Sequence, residues 1–302
     1  MSAANLGLFI ATVLIWGSTW LAITFQVGPV PVPVPVSVFY RFALAGAVFV
    51  AGLALMGRLH LPPRRHQPWI VAQALMLFSL NFLCFYAATA YVPSGLVSVI
   101  FSLATIFNAL NARLFFGDRI TARVLVAGAL GGAGIALLFG PDILGSAGPG
   151  AAKGIGLATL GTLFFSLGNM VSRRNSAAGL SPVTANAWGM VYGAAILLAI
   201  LAVTGTAPVM PPGGRYLAAL VYLSVIGSIV GFTTYLLLVA RIGSSGAAYA
   251  TVLFPIVALG LSTLFEGYRW HWSGVLGLAL ALAGNAVMFA HARPAITARA
   301  AP

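Results

Sequence analysis

The chain has 302 residues, 61% of them hydrophobic and 6% charged, whereas an ordinary soluble domain is about 25% charged; a water-soluble globular protein is excluded. The net charge of +12 sits on basic residues scattered over short connections instead of one stripe, so nucleic acid is not expected as a partner. The composition is that of an integral membrane protein whose surroundings are the lipid bilayer.

Apolar runs recur from end to end, each near the ~20 residues a helix needs to cross a bilayer core. They predict ten spans, at 4–25, 35–57, 69–91, 94–116, 122–140, 152–172, 182–204, 216–239, 245–265 and 272–291. The first lacks a basic start and carries Trp16 and Trp20 in place of a small-residue cleavage site, so it reads as a span and not as a cleaved leader. If the spans alternate in direction, Arg58, Arg64, Arg65, Arg119, Arg123, Arg173, Arg174, Arg241, Arg293 and Arg299 share one side. Lys153, Arg215 and Arg269 fall on the other. The positive-inside rule then puts both termini in the cytoplasm.

Span one carries Thr12, Trp16, Thr19 and Trp20 on one stripe. After it comes "GPVPVPVP" at 28–35. Proline blocks helix and biases its predecessor toward extended geometry, so these eight residues would span roughly 25 Å as a semi-rigid strut. The strut is either a connector that orients two helices or part of an outer gate. Arg41 follows inside span two, where it either snorkels to the headgroups or faces the pathway and holds a substrate carboxylate. Span three offers Phe78, Asn81, Phe82 and Phe85; span four Ser98, Ser102, Thr105 and Asn108; span six Thr159, Thr162, Ser166 and Asn169; span eight Ser224, Ser228, Gly231 and Tyr235. Spacings of three and four put such residues on one helical face. They either line a cavity for a neutral or zwitterionic solute or let helices pack closely. In span nine Pro255 cannot bond to the carbonyl of Thr251, which predicts a kink or hinge; Tyr249 occupies nearly the repeat position of Ser98. Gly128, Gly131, Gly132 and Gly134 in span five, with Gly274, Gly277 and Gly284 in span ten, suit close helix contact. That contact is either within one molecule or between two copies, a homodimer through spans five and ten.

The chain also repeats itself. "FGDRITARVLVAGALGGAGIALLFG" at 116–140 lies over "EGYRWHWSGVLGLALALAGNAVMFA" at 266–290, pairing Gly117 with Gly267, Arg119 with Arg269 and Phe139 with Phe289. Pro35 and Gly46 match Pro182 and Gly193 at nearly the same offset. Five spans per copy is an odd number, so the second copy enters the membrane upside down. The predicted fold is therefore an all-α integral membrane protein of ten transmembrane helices in two inverted five-helix repeats, 1–147 and 148–302, joined by "GSAGPGAAKG" at 145–154. Inverted repeats are the architecture of alternating-access transporters, with the substrate near the midplane.

With "WGST" at Trp16 to Thr19, Arg41 in span two and "FFGDRIT" at 115–121, the chain resembles the EamA family of the drug/metabolite transporter superfamily over essentially its whole length. The resemblance implies a ten-helix exporter of small metabolites in the bacterial inner membrane; some relatives export amino acids, including aromatic ones. Two features depart from the family pattern. Ala104 stands where members often carry a proline in helix four, and the acid of "FEGYR" precedes its glycine, so Glu266 and Asp118 are not expected to act alike.

The three acids, Asp118, Asp142 and Glu266, all fall at span ends or connections. No midplane carboxylate is available to carry a proton or sodium, which points to uniport or exchange. His60, His66, His271 and His291 lack metal-ligand spacing and Cys84 is alone, so neither catalysis nor a cofactor or metal is expected. The expected substrate site draws on Trp16, Thr19, Trp20, Phe78, Asn81, Phe82, Phe85, Ser98, Ser102, Asn169, Tyr235 and Tyr249, with Arg41 and Pro255 as gate and hinge. Amino acids are the first expectation for the substrate. A carrier of nucleosides, sugars or drugs with proton coupling, or a channel, is the alternative.

Overall fold

In hydrocarbon every backbone N–H and C=O must be satisfied within the chain, and a helix does this segment by segment. The computed structural model describes residues 2–27, 32–144 and 148–289, with the backbone alone at 140–144, 148–149, 239–240, 243–249, 251 and 289. The described residues form helices and no strands. They are α1 (Ala3–Thr24), α2 (Val34–Leu55), α3 (Arg64–Ala88), α4 (Ser94–Phe116), α5 (Ala122–Leu144), α6 (Gly148–Ala177), α7 (Pro182–Val203), α8 (Arg215–Leu238), α9 (Val252–Phe265) and α10 (Trp272–Phe289). Among the described residues, eight helices are long and apolar enough to cross a membrane, and α9 and α10 supply shorter apolar segments. Leu55, Leu114, Leu125, Leu264 and Trp272 stand exposed on the outside of the bundle, where lipid replaces water as their solvent.

Three boundaries differ from the sequence expectation. Pro35 lies in the first turn of α2, not in the strut, because a proline's missing N–H costs nothing where no carbonyl precedes it. Pro29 and Pro31 lie outside the described residues. The joint at 145–154 is helical from Gly148 onward, and 145–147 lie outside the described residues. Residues Gly231–Phe265 also have helical backbone throughout, with no non-helical connection at the expected 240–244. A straight helix would carry Phe232 and Phe254 about 33 Å apart, yet both line one chamber. The chain therefore doubles back between α8 and α9, and ten spans remain.

Local irregularities fall on the inward-facing helices. α3 widens into a π-turn at Met76–Leu80 and α8 at Tyr222–Val230, a geometry often found at functional sites. In each a serine bonds five residues back: Ser79 Oγ donates to the Ala74 carbonyl (3.2 Å) and Ser228 Oγ to that of Leu223 (2.9 Å). Pro255 lies within the helical stretch of α9, and α4 is interrupted at Ser102–Leu103. There Ser98, Ser102 and Thr105 donate to the carbonyls of Gly95, Val99 and Ser102, each three residues back, and such bonds compete with the helical ladder.

Glycines set the closest approaches. A Cβ on Gly277 would stand 2.5 Å from the Gly134 carbonyl oxygen, and one on Gly134 would stand 2.6 Å from that of Gly277. The small-residue faces of α5 and α10 thus bury each other within one molecule. Gly189 and Gly193 of α7 form a notch for the Phe78 ring, and Gly161 and Gly168 of α6 receive Phe85 and Leu77 of α3. These notches hold the inner helices around a central space.

Candidate functional site

That space is a chamber of about 80 Å³ lined by Trp16, Thr19, Trp20 and Ile23 of α1, Arg41 of α2, Leu77, Asn81, Phe82 and Phe85 of α3, Phe101 of α4, Phe165 of α6, Gly227 and Phe232 of α8 and Phe254 of α9. Its walls are mainly aromatic. Trp20 meets Phe85 edge-on at 5.3 Å between ring centres, Phe101 meets Phe165 at 4.7 Å and Phe254 at 5.7 Å, and Trp16 lies 4.9 Å from Tyr235. Aromatic edges and faces in these arrangements hold one another rigidly and offer flat apolar contact to a ligand.

Arg41 brings the chamber its charge. Its side chain is 3% exposed, and it points inward instead of snorkelling to the surface. Nε and Nη2 donate to Ser228 Oγ at 3.3 Å each, Nη1 reaches the Tyr86 hydroxyl at 3.5 Å, and the guanidinium lies 4.4 Å from the Phe82 ring centre. Among the described residues no carboxylate lines the chamber, where the cation is held by hydroxyls and π-faces.

Beside Arg41 lies a buried polar cluster, reached through Tyr86. Tyr86 donates to Gln26 Oε1 (2.9 Å), and the hydroxyls of Ser37 and Tyr216 bond to each other (2.9 Å). Gln26, Ser37 and Tyr86 are fully buried, and Gln26 Nε2 has no hydrogen-bond partner among the described residues. The cluster joins the end of α1 to α2, α3 and α8, at the end of the bundle opposite Arg173.

In the other direction lies a second cavity of about 530 Å³. It shares Trp16, Leu77, Phe101, Phe165 and Phe232 with the chamber and extends along α4 and α6 to Ser172, Arg173 and Pro182. The shared residues form an apolar neck between the two spaces. Past the neck polar side chains join a still largely apolar lining: Asn169 Nδ2 donates to Asn108 Oδ1 (3.3 Å), and Thr105 donates to Asn285 Oδ1 (2.8 Å). At the mouth Arg173 makes a two-pronged pair with Asp118, at 2.7 and 3.3 Å. That hydrogen bond holds the Asp118 carboxyl below the usual carboxylate range. Glu266 acts differently, at the opposite end: its carboxylate accepts the Ser94 backbone N–H (3.1 Å) and hydroxyl (2.5 Å), capping the start of α4.

The residues singled out in the sequence thus separate. Trp16, Thr19, Trp20, Asn81, Phe82, Phe85 and Arg41 meet in the chamber; Ser102, Asn169 and Tyr235 line the second cavity, as Trp16 does. Phe78 and Ser98 line neither: Phe78 fills the α7 notch and Ser98 is buried on its own backbone. The side chain of Tyr249 lies outside the described residues, and Pro255 is buried in α9. Sequence reasoning passed over Phe101, Phe165, Phe232 and Phe254, which carry no polar mark, and the Gln26–Ser37–Tyr86–Tyr216 cluster, whose members are far apart in the chain.

Residues 4–140 and again 152–290 match the EamA-like transporter family. The chain belongs to that family. It is accordingly a multi-pass membrane transporter of the drug/metabolite kind. This EamA-like chain is 28% identical over 283 residues to the uncharacterized inner membrane transporter YedA of Escherichia coli K12, covering 91% of this chain and 89% of the relative. It is 26% identical to a probable terminal-alkyne amino-acid exporter of Streptantibioticus cattleyicolor, over 92% and 88% of the two chains. A solved crystal structure shares the fold with a TM-score of 0.66 at 19% identity, covering 95% of this chain and 96% of its own.

Proposed function

We propose that this protein is a bacterial inner-membrane exporter of small metabolites, foremost amino acids with hydrophobic or aromatic side chains, working by alternating access without ion coupling. The observation that carries the reading is the aromatic chamber with one buried cation, flanked by a buried polar cluster and joined through an apolar neck to a larger cavity that reaches Arg173 at a helix end. With both termini on that side, as the arginine distribution argues, this is a carrier loading from the cytoplasm. The double family match supports dividing the chain into halves 1–147 and 148–302 that rock against each other around the site. Relatives named as an inner membrane transporter and an amino-acid exporter agree with location and substrate class. Exchange or uniport follows from the carboxylates: Asp118 and Glu266 are bonded at opposite ends of the bundle, away from the chamber.

The test is counterflow in proteoliposomes. Vesicles are preloaded with unlabelled amino acids, nucleosides or sugars, and labelled tracer is added with no ion gradient. Saturable accumulation driven by hydrophobic amino acids is expected. Silence across the panel that only a proton gradient relieves would overturn the uncoupled reading.

A further inference from the structure

Hydrogen-bond bookkeeping in the chamber is one-sided. Its polar side chains are Trp16, Thr19, Trp20, Arg41 and Asn81. The two indole N–H groups and the guanidinium are donors only. Asn81 Oδ1 already accepts the Phe82 N–H (2.8 Å) where the π-turn of α3 ends, which leaves the amide NH2 to offer. Thr19 spends its proton on the Trp16 carbonyl (2.7 Å), so its oxygen and the second lone pair of Asn81 Oδ1 are the side-chain acceptors left among the described lining residues, both of them neutral. A ligand complementary to this wall brings acceptors and negative charge.

An ammonium group finds only these two neutral acceptors and no charged one among the described lining residues. Among the described residues no carboxylate lines the chamber, and Arg41 itself lies over the Phe82 face, the π-surface a cation would seek. A second positive charge beside an uncompensated guanidinium is also repelled more strongly here than in water. We propose that the chamber is a carboxylate site in which Arg41 and Asn81 hold the acid group, the aromatic walls take the hydrocarbon part and the amine is left unread. Hydrophobic monocarboxylates without an amino group, such as arylalkanoates and 2-oxo acids, are then ligands on the same footing as amino acids. This rests on the transport reading above and narrows its substrate class.

The test uses the full-length protein in nanodiscs, with tryptophan fluorescence reporting on Trp16 and Trp20, and four probes: L-phenylalanine, 3-phenylpropionate, L-phenylalanine amide and phenethylamine. The two acids should quench with similar affinity, and the two amines should fail to compete. Arg41→Gln should weaken both acids roughly 10- to 100-fold, the range for hydrogen bonds to a charged group, and Arg41→Lys should restore part of the loss. If Arg41→Gln does not fold, the wild-type probe series decides alone. Phenethylamine binding as well as 3-phenylpropionate, or phenylalanine binding while 3-phenylpropionate does not, overturns the proposal; so does a folded protein that binds none of the four. Counterflow run in parallel separates the two claims. Acids that bind without counterflow leave the carboxylate site standing and remove the carrier. Phenylalanine counterflow that 3-phenylpropionate cannot inhibit does the reverse.

Discussion

If the buried cluster beside Arg41 seals the chamber, replacing Tyr86 by phenylalanine weakens the seal by removing one oxygen from it. The hydroxyl donates to Gln26 Oε1 at 2.9 Å, and both residues are fully buried. Since Gln26 Nε2 already lacks a partner, Tyr86→Phe leaves the side chain of Gln26 with neither bond satisfied. A buried polar group left unpaired costs about 1–3 kcal/mol, and that cost falls on the closed arrangement, because Gln26 regains water when the helices part. At about 1.4 kcal/mol per tenfold, opening at this end should become roughly 5- to 150-fold more populated. The assay is cysteine labelling: Cys84, which is unpaired, is replaced by alanine, cysteine is placed at Ile23 in the chamber, and a membrane-impermeant maleimide is added on the side away from the termini. Labelling should accelerate by that factor in the Tyr86→Phe background. An unchanged rate in a protein that remains folded would mean that the cluster does not seal the chamber.

Other substitutions probe the scaffold. Gly277→Leu puts side-chain atoms against the Gly134 carbonyl and the Leu138 N–H, both backbone, so thermal unfolding in detergent should show a loss of at least about 1–3 kcal/mol; an unchanged midpoint would refute the close α5–α10 contact. Glu266→Ala removes both bonds to Ser94 and should cost about 0.5–2 kcal/mol as a lost cap, while Glu266→Gln keeps an acceptor and should cost less; equal losses would argue that the cap is unimportant. Asp118→Asn should scarcely move the unfolding midpoint at neutral pH, since both partners of the Arg173 pair are about half exposed and such pairs are weak. The lowered carboxyl fixes the sign of its pH dependence: whatever the pair contributes is present above the usual Asp value and fades as pH falls through the lower folded value. A wild-type protein that gained stability relative to Asp118→Asn on acidification would contradict this.

Membrane residence, helical class, the approximate limits of the spans and the family were determined by the sequence alone. Each rests on something local. An apolar run is expelled from water whatever surrounds it, and a backbone in lipid becomes helix without reference to its neighbours. The chamber was legible where polarity or an indole marked the inward face, as at Trp16, Trp20, Asn81 and Arg41. Phe101 and Phe254 carried no such mark, because lipid is as apolar as a packed interior and a phenylalanine turned toward either looks the same. Polarity also misled: Ser98 and Ser102 spend their hydroxyls on their own helix, and of the two only Ser102 reaches a cavity. The tertiary structure alone decided that Gln26 would meet Tyr86, 60 positions away, that Arg41 would turn inward onto Ser228, and that the glycines of α5 would face those of α10. These are pairings between helices, and no span's composition records which neighbour packing will bring to it.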